Sequence, residues 1–184
     1  MNKNETVKKH IRTAQTNQTK QDLVIALIQL MNNKPLTKIS VGDVVMRAGY
    51  ARRTFYRHFS TLDDVLEQKI DELTLNLYQY HNQSPSQSFE ETVQIFFLFW
   101  KQHQNFLLQL ADNDRLYLLE ESWSNNLVSS QLSNISMADA DYFQQFALGG
   151  MFAMLRHWIQ QGANESPQAM VKIATAIRQH LNNN

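Results

Sequence analysis

The chain has 184 residues, enough for one large domain or two small ones, and its 43% hydrophobic and 10% aromatic content suffices for a buried core. The absence of cysteine excludes disulfides and thiolate metal sites, and the polar first residues hold no apolar signal segment, so the cytoplasm is the expected location. Net charge is zero, yet residues 1–60 carry eleven lysines and arginines against three acids, a surplus of eight that residues 61–184 offset with six against fourteen; a basic part that meets a polyanion and an acidic part that does not is the implied division.

Five glycines and three prolines leave few turn signals, and the fold is read as all-α. The first helix is predicted over about Lys20–Asn33, capped by Thr19 with Asp22 in its first turn, and with Leu23, Ala26, Leu27, Leu30 and Met31 on one face. Residues 1–18 read as a flexible arm or a frayed extension of that helix. Pro35 ends it. Ser40 and Asp43 have the spacing of an N-cap and first-turn acid and open a short helix over Val41–Ala48. Gly49 stands where the chain reverses, and a third short helix follows over about Arg52–His58. Thr61 caps a longer helix, Leu62–Tyr80, whose apolar face is Leu62, Leu66, Ile70, Leu73 and Leu77. After the polar loop His81–Ser88, helical segments are predicted near 89–104, 106–111, 114–133 and 139–161. The pair Ser166–Pro167 opens a last helix to about His180. The greasiest run, Ile95–Trp100, is far too short to span a bilayer, so no membrane partner is expected.

Two short helices joined at Gly49 and braced by a preceding amphipathic helix make a helix-turn-helix. In that motif the second helix enters the major groove of double-stranded DNA. It begins here at Arg52, and an arginine fork can pair bidentately with guanine O6 and N7. Thr54, Tyr56, Arg57 and His58 supply hydroxyls and cations for phosphates and in part for bases, while Phe55 and Phe59 face inward. Residues 1–60 are therefore the expected DNA-binding domain, and residues 61–184 a second, helical domain.

The stretch ISVGDVVMRAGYARRTFYRHFSTLDDVL resembles the DNA-binding domain of TetR/AcrR-type bacterial transcriptional regulators, through Val41, Asp43, Ala48, Gly49, Thr54, Phe55, Tyr56, His58, Phe59 and Asp64. The resemblance implies a ligand-responsive repressor that acts as a homodimer on a pseudo-palindromic operator. It implies that Thr54, Tyr56 and His58 touch the DNA backbone, that Arg52, Arg53 and Arg57 face or flank bases, and that Ser40 belongs to the same set. Two positions depart from the pattern. Ala51 stands where the family has a capping serine, and Leu62 where a phosphate-binding lysine is common. The stretches FLFWKQHQNFLLQL and FALGGMFAMLRHWIQQGANESPQAM resemble the effector-binding domain of a low-GC Gram-positive subgroup that includes regulators of dihydroxyacetone kinase operons.

The second part is rich in aromatic residues. Ordinary core packing accounts for any one of them, but together they also fit a ligand cavity. The resemblance places an effector site among these helices, with Phe97, Trp100, Phe106, Trp123 and Phe146 as candidates for its wall. Gly149 and Gly150 lie mid-helix, where each costs about 1 kcal/mol relative to alanine unless a close helix approach offsets it. By resemblance, the last two helices form a four-helix bundle with a second subunit, and Gly149, Met151, Met154, Leu155, Trp158, Met170, Ile173 and Ile177 are its expected seam. His103, His157 and the carboxylates show no metal-ligand spacing, and no catalytic constellation or phosphate loop is present, so neither an enzyme nor a cofactor is expected. The alternative is a coactivator or sensor of the same fold that acts through protein partners.

Overall fold

The computed structural model describes residues 3–84, 88–127 and 140–183. Within them the chain is helical: α1 (Lys3–Met31), a 3-10 turn (Leu36–Lys38), α2 (Val41–Ala48), α3 (Arg52–His58), α4 (Leu62–Asn82), α5 (Phe89–Gln102), α6 (Gln104–Asp112), α7 (Leu116–Leu127), α8 (Ala140–Gln160) and α9 (Pro167–Asn182). They form two compact units, residues 1–69 and 70–184, and α4 supplies residues to both. No helix among the described residues is long and apolar enough to cross a membrane.

The first helix is much longer than expected, and Thr19 does not cap it. Residues 3–18 contain no glycine or proline and many good helix formers, so nothing stops the helix upstream of Thr19. Thr19 Oγ1 instead donates to the Gln15 carbonyl at 2.9 Å, the bond a threonine makes inside a helix. Asp22 is likewise no first-turn acid. It accepts from Gln18 Nε2 at 2.8 Å and from the Tyr50 hydroxyl at 2.7 Å, which ties α1 to the turn before α3.

α1 packs on α2, and α2 on α3. Leu23, Ala26, Leu27 and Met31 are buried as expected, with Leu30 half-buried, and they share a core with Val44, Val45, Phe55, Phe59, Val65 and Leu66. Ser40 caps α2 and Thr61 caps α4. Each hydroxyl accepts the backbone N–H three residues on, at 3.1 Å, and Asp43 and Asp64 bond back to the cap residues. At the end of α2, Gly49 lies at φ +75°, with Gly49 N–H on the Met46 carbonyl and Tyr50 N–H on the Val45 carbonyl. This pair of bonds is the Schellman stop that a glycine supports without strain.

In the second unit α5 packs on α9 and α6, and α6 on α7 and α8. Ser88 caps α5 by accepting from the Glu91 N–H at 3.3 Å. The α8–α9 turn reverses through Gly162 (φ +83°) and Ala163 (φ +52°). Lys101 Nζ of α5 donates to the Ala163 carbonyl at 2.6 Å and lies over the Trp158 ring, while Trp158 Nε1 donates to the Glu165 carbonyl at 3.2 Å. Ser166 caps α9 with Pro167 in its first turn, as expected. The segment predicted over 114–133 is helical over Leu116–Leu127; Asp114 (φ +56°) and Arg115 belong to the turn before it, and residues 128–133 lie outside the described residues.

Among the described residues, nothing beyond the two chain neighbours lies within 4 Å of where a Cβ at Gly49 would stand, so Gly49→Ala isolates the strain of a left-handed alanine. We expect it to lower the unfolding free energy by about 1 kcal/mol. The check is a urea titration, in which the midpoint falls at constant slope.

Candidate functional site

All the DNA-facing candidates except Ser40 lie on a helix of only seven residues. α3 starts at Ala51 without a side-chain cap, and its first turn is closed by the Thr54 N–H on the Ala51 carbonyl at 2.9 Å. Tertiary contact replaces the missing cap. Phe55 is fully buried, with its ring centroid 5.4 Å from that of Tyr56 and 5.8 Å from that of Phe59. With Phe55 inward, helical spacing turns Arg52, Arg53, Tyr56 and Arg57 to the exposed side, and Thr54 and His58 to its half-buried margins.

Arg52 leans back toward α2. A Cβ on Gly42 would stand 2.8 Å from an Arg52 guanidinium nitrogen, so the absence of a side chain there gives the arginine its place beside the first turn of α2. His58 is held below the usual imidazole range by burial first, then by the nearby charges of Arg57 and Lys20. At neutral pH it is an uncharged hydrogen-bonding group, not the cation its sequence position suggested. The Ser40 hydroxyl is engaged in the α2 cap, donating to Asp43 Oδ2 at 2.8 Å while accepting from the Asp43 N–H. Arg47 Nε donates to Gln29 Oε1 at 2.8 Å and fastens α2 to α1. This brace, like the Tyr50–Asp22 bond, joins residues far apart in sequence. No local pattern announces either one.

The second unit sorts the candidate effector residues differently. Phe97, Trp100, Phe106 and Trp123 are buried, and Trp100 and Trp123 stand 6.3 Å apart in a ring network that also holds Phe96, Phe99 and Phe152. Phe146 is 71% exposed on α8 and does not join them. A cavity of about 130 Å3 is lined by Leu77, Tyr78, His81, Thr92, Ile95, Phe96, Trp123, Leu148 and Met151. Of the five candidates only Trp123 lines it; Phe97, Trp100 and Phe106 are packing.

The expected dimer seam divides in the same way. Leu155, Trp158 and Met170 are buried within the protomer, and Met151 and Met154 are half-buried, whereas Gly149, Ile173 and Ile177 are exposed. Three residues outside the expected seam, Tyr142, Phe146 and Leu181, are 81%, 71% and 60% exposed; Phe146 was expected in the effector wall instead.

Comparison with known proteins follows the same division. A family model described as bacterial regulatory proteins, tetR family, matches residues 23–68, and one described as transcriptional regulator C-terminal region matches residues 87–180, just over half of the chain. The chain is 36% identical over 75 residues to an uncharacterized HTH-type transcriptional regulator of Haemophilus influenzae; the match covers 40% of this chain and 37% of that relative's length. Two solved structures are similar in fold. A TetR transcriptional regulator from Streptococcus agalactiae shares 21% identity at a TM-score of 0.60, over 92% of this chain and 98% of that one. The fatty acid degradation regulator FadR from Bacillus halodurans shares 18% identity at 0.57, over 83% and 90%.

The carboxylate that braces the α2 cap carries a pH signature. Hydrogen bonds from the Ser40 backbone and hydroxyl, with Lys34 Nζ at 3.2 Å, hold Asp43 down at about 2. An unfolded aspartate titrates near 4, so the folded chain binds fewer protons between these values and its stability rises with pH there. The stability difference between the native chain and Asp43→Asn is therefore expected to be full above about pH 4 and to vanish as pH falls through about 2. Urea midpoints measured at several pH values read it directly; a difference constant with pH would show that the charge of Asp43 is not what holds the cap.

Proposed function

The chain belongs to the TetR family of bacterial transcriptional regulators, and from that premise we propose that it is a cytoplasmic, ligand-responsive repressor that binds a pseudo-palindromic operator as a homodimer. The observation that carries the proposal is the exposed face of α3. Four side chains that can bond phosphates or base edges, Arg52, Arg53, Tyr56 and Arg57, stand outward on a helix pinned from behind by Phe55. The basic surplus of residues 1–60 supplies the nonspecific attraction to phosphate, and the arginine forks supply discrimination among bases. The resemblance of the C-terminal stretches supports a lineage among the low-GC Gram-positive regulators.

A homodimer needs a face, and the exposed apolar residues offer one. Tyr142, Phe146, Gly149, Gly150 and Ala153 follow one another at helical spacing on α8, and Ile173, Ile177 and Leu181 do so on α9. Among the described residues, nothing beyond the adjacent residues and the helix's own backbone lies within 4 Å of a Cβ built on Gly149 or Gly150, so packing among those residues does not explain their helix penalty. Close approach of a second copy would offset it.

For a switch, α4 is the natural lever. It is one continuous helix whose first turn is capped by Thr61 beside the DNA-binding core, and whose last turns bring Leu77, Tyr78 and His81 to the cavity. A ligand that prefers one conformation by about 1.4 kcal/mol shifts operator affinity tenfold.

Binding to a duplex selected from a random pool is expected to fall with salt at a log–log slope of roughly −5 or steeper, since two subunits each touch several phosphates. Arg52→Ala is expected to lose about 1–3 kcal/mol of preference for that duplex over a scrambled one. A flat salt response would point instead to a sensor that acts through protein partners. Phe146→Glu is expected to convert the dimer to monomer at micromolar concentration in light scattering while the helical signal stays intact. A dimer that persists would place the seam elsewhere.

A further inference from the structure

α1 starts well before the core that it braces. The tetR family match begins at residue 23, and Leu23 is the first fully buried side chain of α1 among those described, yet the helix runs from Lys3. Residues 13–18 are all exposed. At 1.5 Å per residue, the stretch over residues 3–18 is about 24 Å long. Its charge is one-sided: Lys3, Lys8, Lys9 and Arg12 stand against Glu5, a surplus of three out of the eight in residues 1–60. Over a third of the basic surplus therefore lies upstream of the helix-turn-helix. Only Val7 and Ile11 are large and apolar there, and the stretch has no phenylalanine, tyrosine or tryptophan. That is too little to seat it in an apolar groove of a protein or in a membrane surface, both of which need a stripe of large apolar residues. Its charge fits a polyanion instead.

The point of departure decides which polyanion. The turn of α1 at residues 19–22 touches both ends of α3. Asp22 accepts from the Tyr50 hydroxyl at 2.7 Å, just before α3. Lys20 Nζ stands 6.0 Å from the centre of the Phe59 ring, just after α3, and donates to Gln68 Oε1 of α4 at 3.3 Å. The basic stretch thus leaves the core beside the helix whose arginines face outward. A duplex read by α3 brings its own phosphates to that edge, and about 24 Å matches roughly seven base pairs of one strand at about 3.4 Å each.

We propose that residues 3–18 are a second DNA contact, laid along the phosphate backbone that flanks the half-site read by α3, and that this contact adds affinity without sequence preference. It rests on the reading of α3 as the DNA-binding helix and extends that site by a surface outside the family match.

The test uses the full chain and the duplex selected from a random pool, in two lengths. One is trimmed to the outermost base pairs whose identity selection fixed; the other carries about eight further base pairs on each flank, or about 27 Å. The native chain is expected to bind the longer duplex about tenfold more tightly at about 150 mM salt. A variant combining Lys3→Gln, Lys8→Gln, Lys9→Gln and Arg12→Gln keeps the helix propensity of the stretch, so its urea midpoint is expected to stay unchanged. Its affinities for the two lengths are expected to agree within about threefold, and its log–log salt slope on the longer duplex to be shallower by about 3 or more, since each phosphate contact contributes about 0.9. Its preference for the selected over a scrambled duplex is expected to hold within about threefold, unlike that of Arg52→Ala. Equal affinity of the native chain for both lengths would overturn the contact, and that result needs no variant to fold. So would a variant that keeps the native salt slope, or one that loses sequence preference as Arg52→Ala does. In each of these cases the selected duplex still binds, and the reading of α3 stands. If the native chain binds no duplex at either length, both fall.

Discussion

The burial of Phe55 is the contact on which the DNA-facing surface depends. α3 has seven residues, well short of the length at which an isolated helix holds in water, and no side-chain cap at its start. Full burial of a phenylalanine contributes roughly 1.5–3 kcal/mol, more than a typical cap of about 1 kcal/mol. The same contact decides orientation. Once Phe55 points into the core beside Phe59, the helical period sends Arg52, Arg53, Tyr56 and Arg57 outward. One hydrophobic anchor thus both holds the helix and selects the face that carries the charge.

The elements on either side of α3 are fixed by polar bonds. α2 and α4 each begin with a reciprocal cap, Ser40 with Asp43 and Thr61 with Asp64, and the turn between α2 and α3 is closed at Gly49 and tied to α1 by Tyr50 and Asp22. These bonds fix the frame on both sides of α3. His58 fits the same economy of charge: half-buried beside Arg57 and Lys20, it is kept neutral, so the arginines carry the local positive charge.

The second unit rests on aromatic packing. Phe97 meets Trp158, Phe96 meets Trp123, and Trp123 meets Phe152, which couples α5 to α7 and α8 through rings. Lys101 fastens the α8–α9 turn to α5, and Arg178 of α9 joins Glu90 and covers the Phe89 ring of α5. Against this background a cavity remains beside Trp123, between α4, α5 and α8.

The helix-turn-helix was legible residue by residue because its signals are local. A cap and the N–H it serves are three residues apart, a Schellman glycine serves the helix it ends, and Phe55 and Phe59 are one helical turn apart. The failures have the opposite character. Whether Thr19 starts a helix or lies inside one depends on the conformation of the residues before it, and it lies inside. The stripe of large apolar residues on α8 goes most of the way round the helix, so periodicity leaves its inner side undecided. Packing within the protomer buried Leu155 and Trp158, the latter against Phe97 of α5, and left Tyr142 and Phe146 exposed. Composition likewise flagged an aromatic excess without saying which rings fill space and which surround it. The all-α class, the reading helix and its outward cations follow from the residues alone, because bonds between near neighbours dictate them. The place of the cavity, the exposed face of α8 and α9, and the burial that lowers the proton affinity of His58 were chosen only by packing, because each depends on what distant segments bring against it.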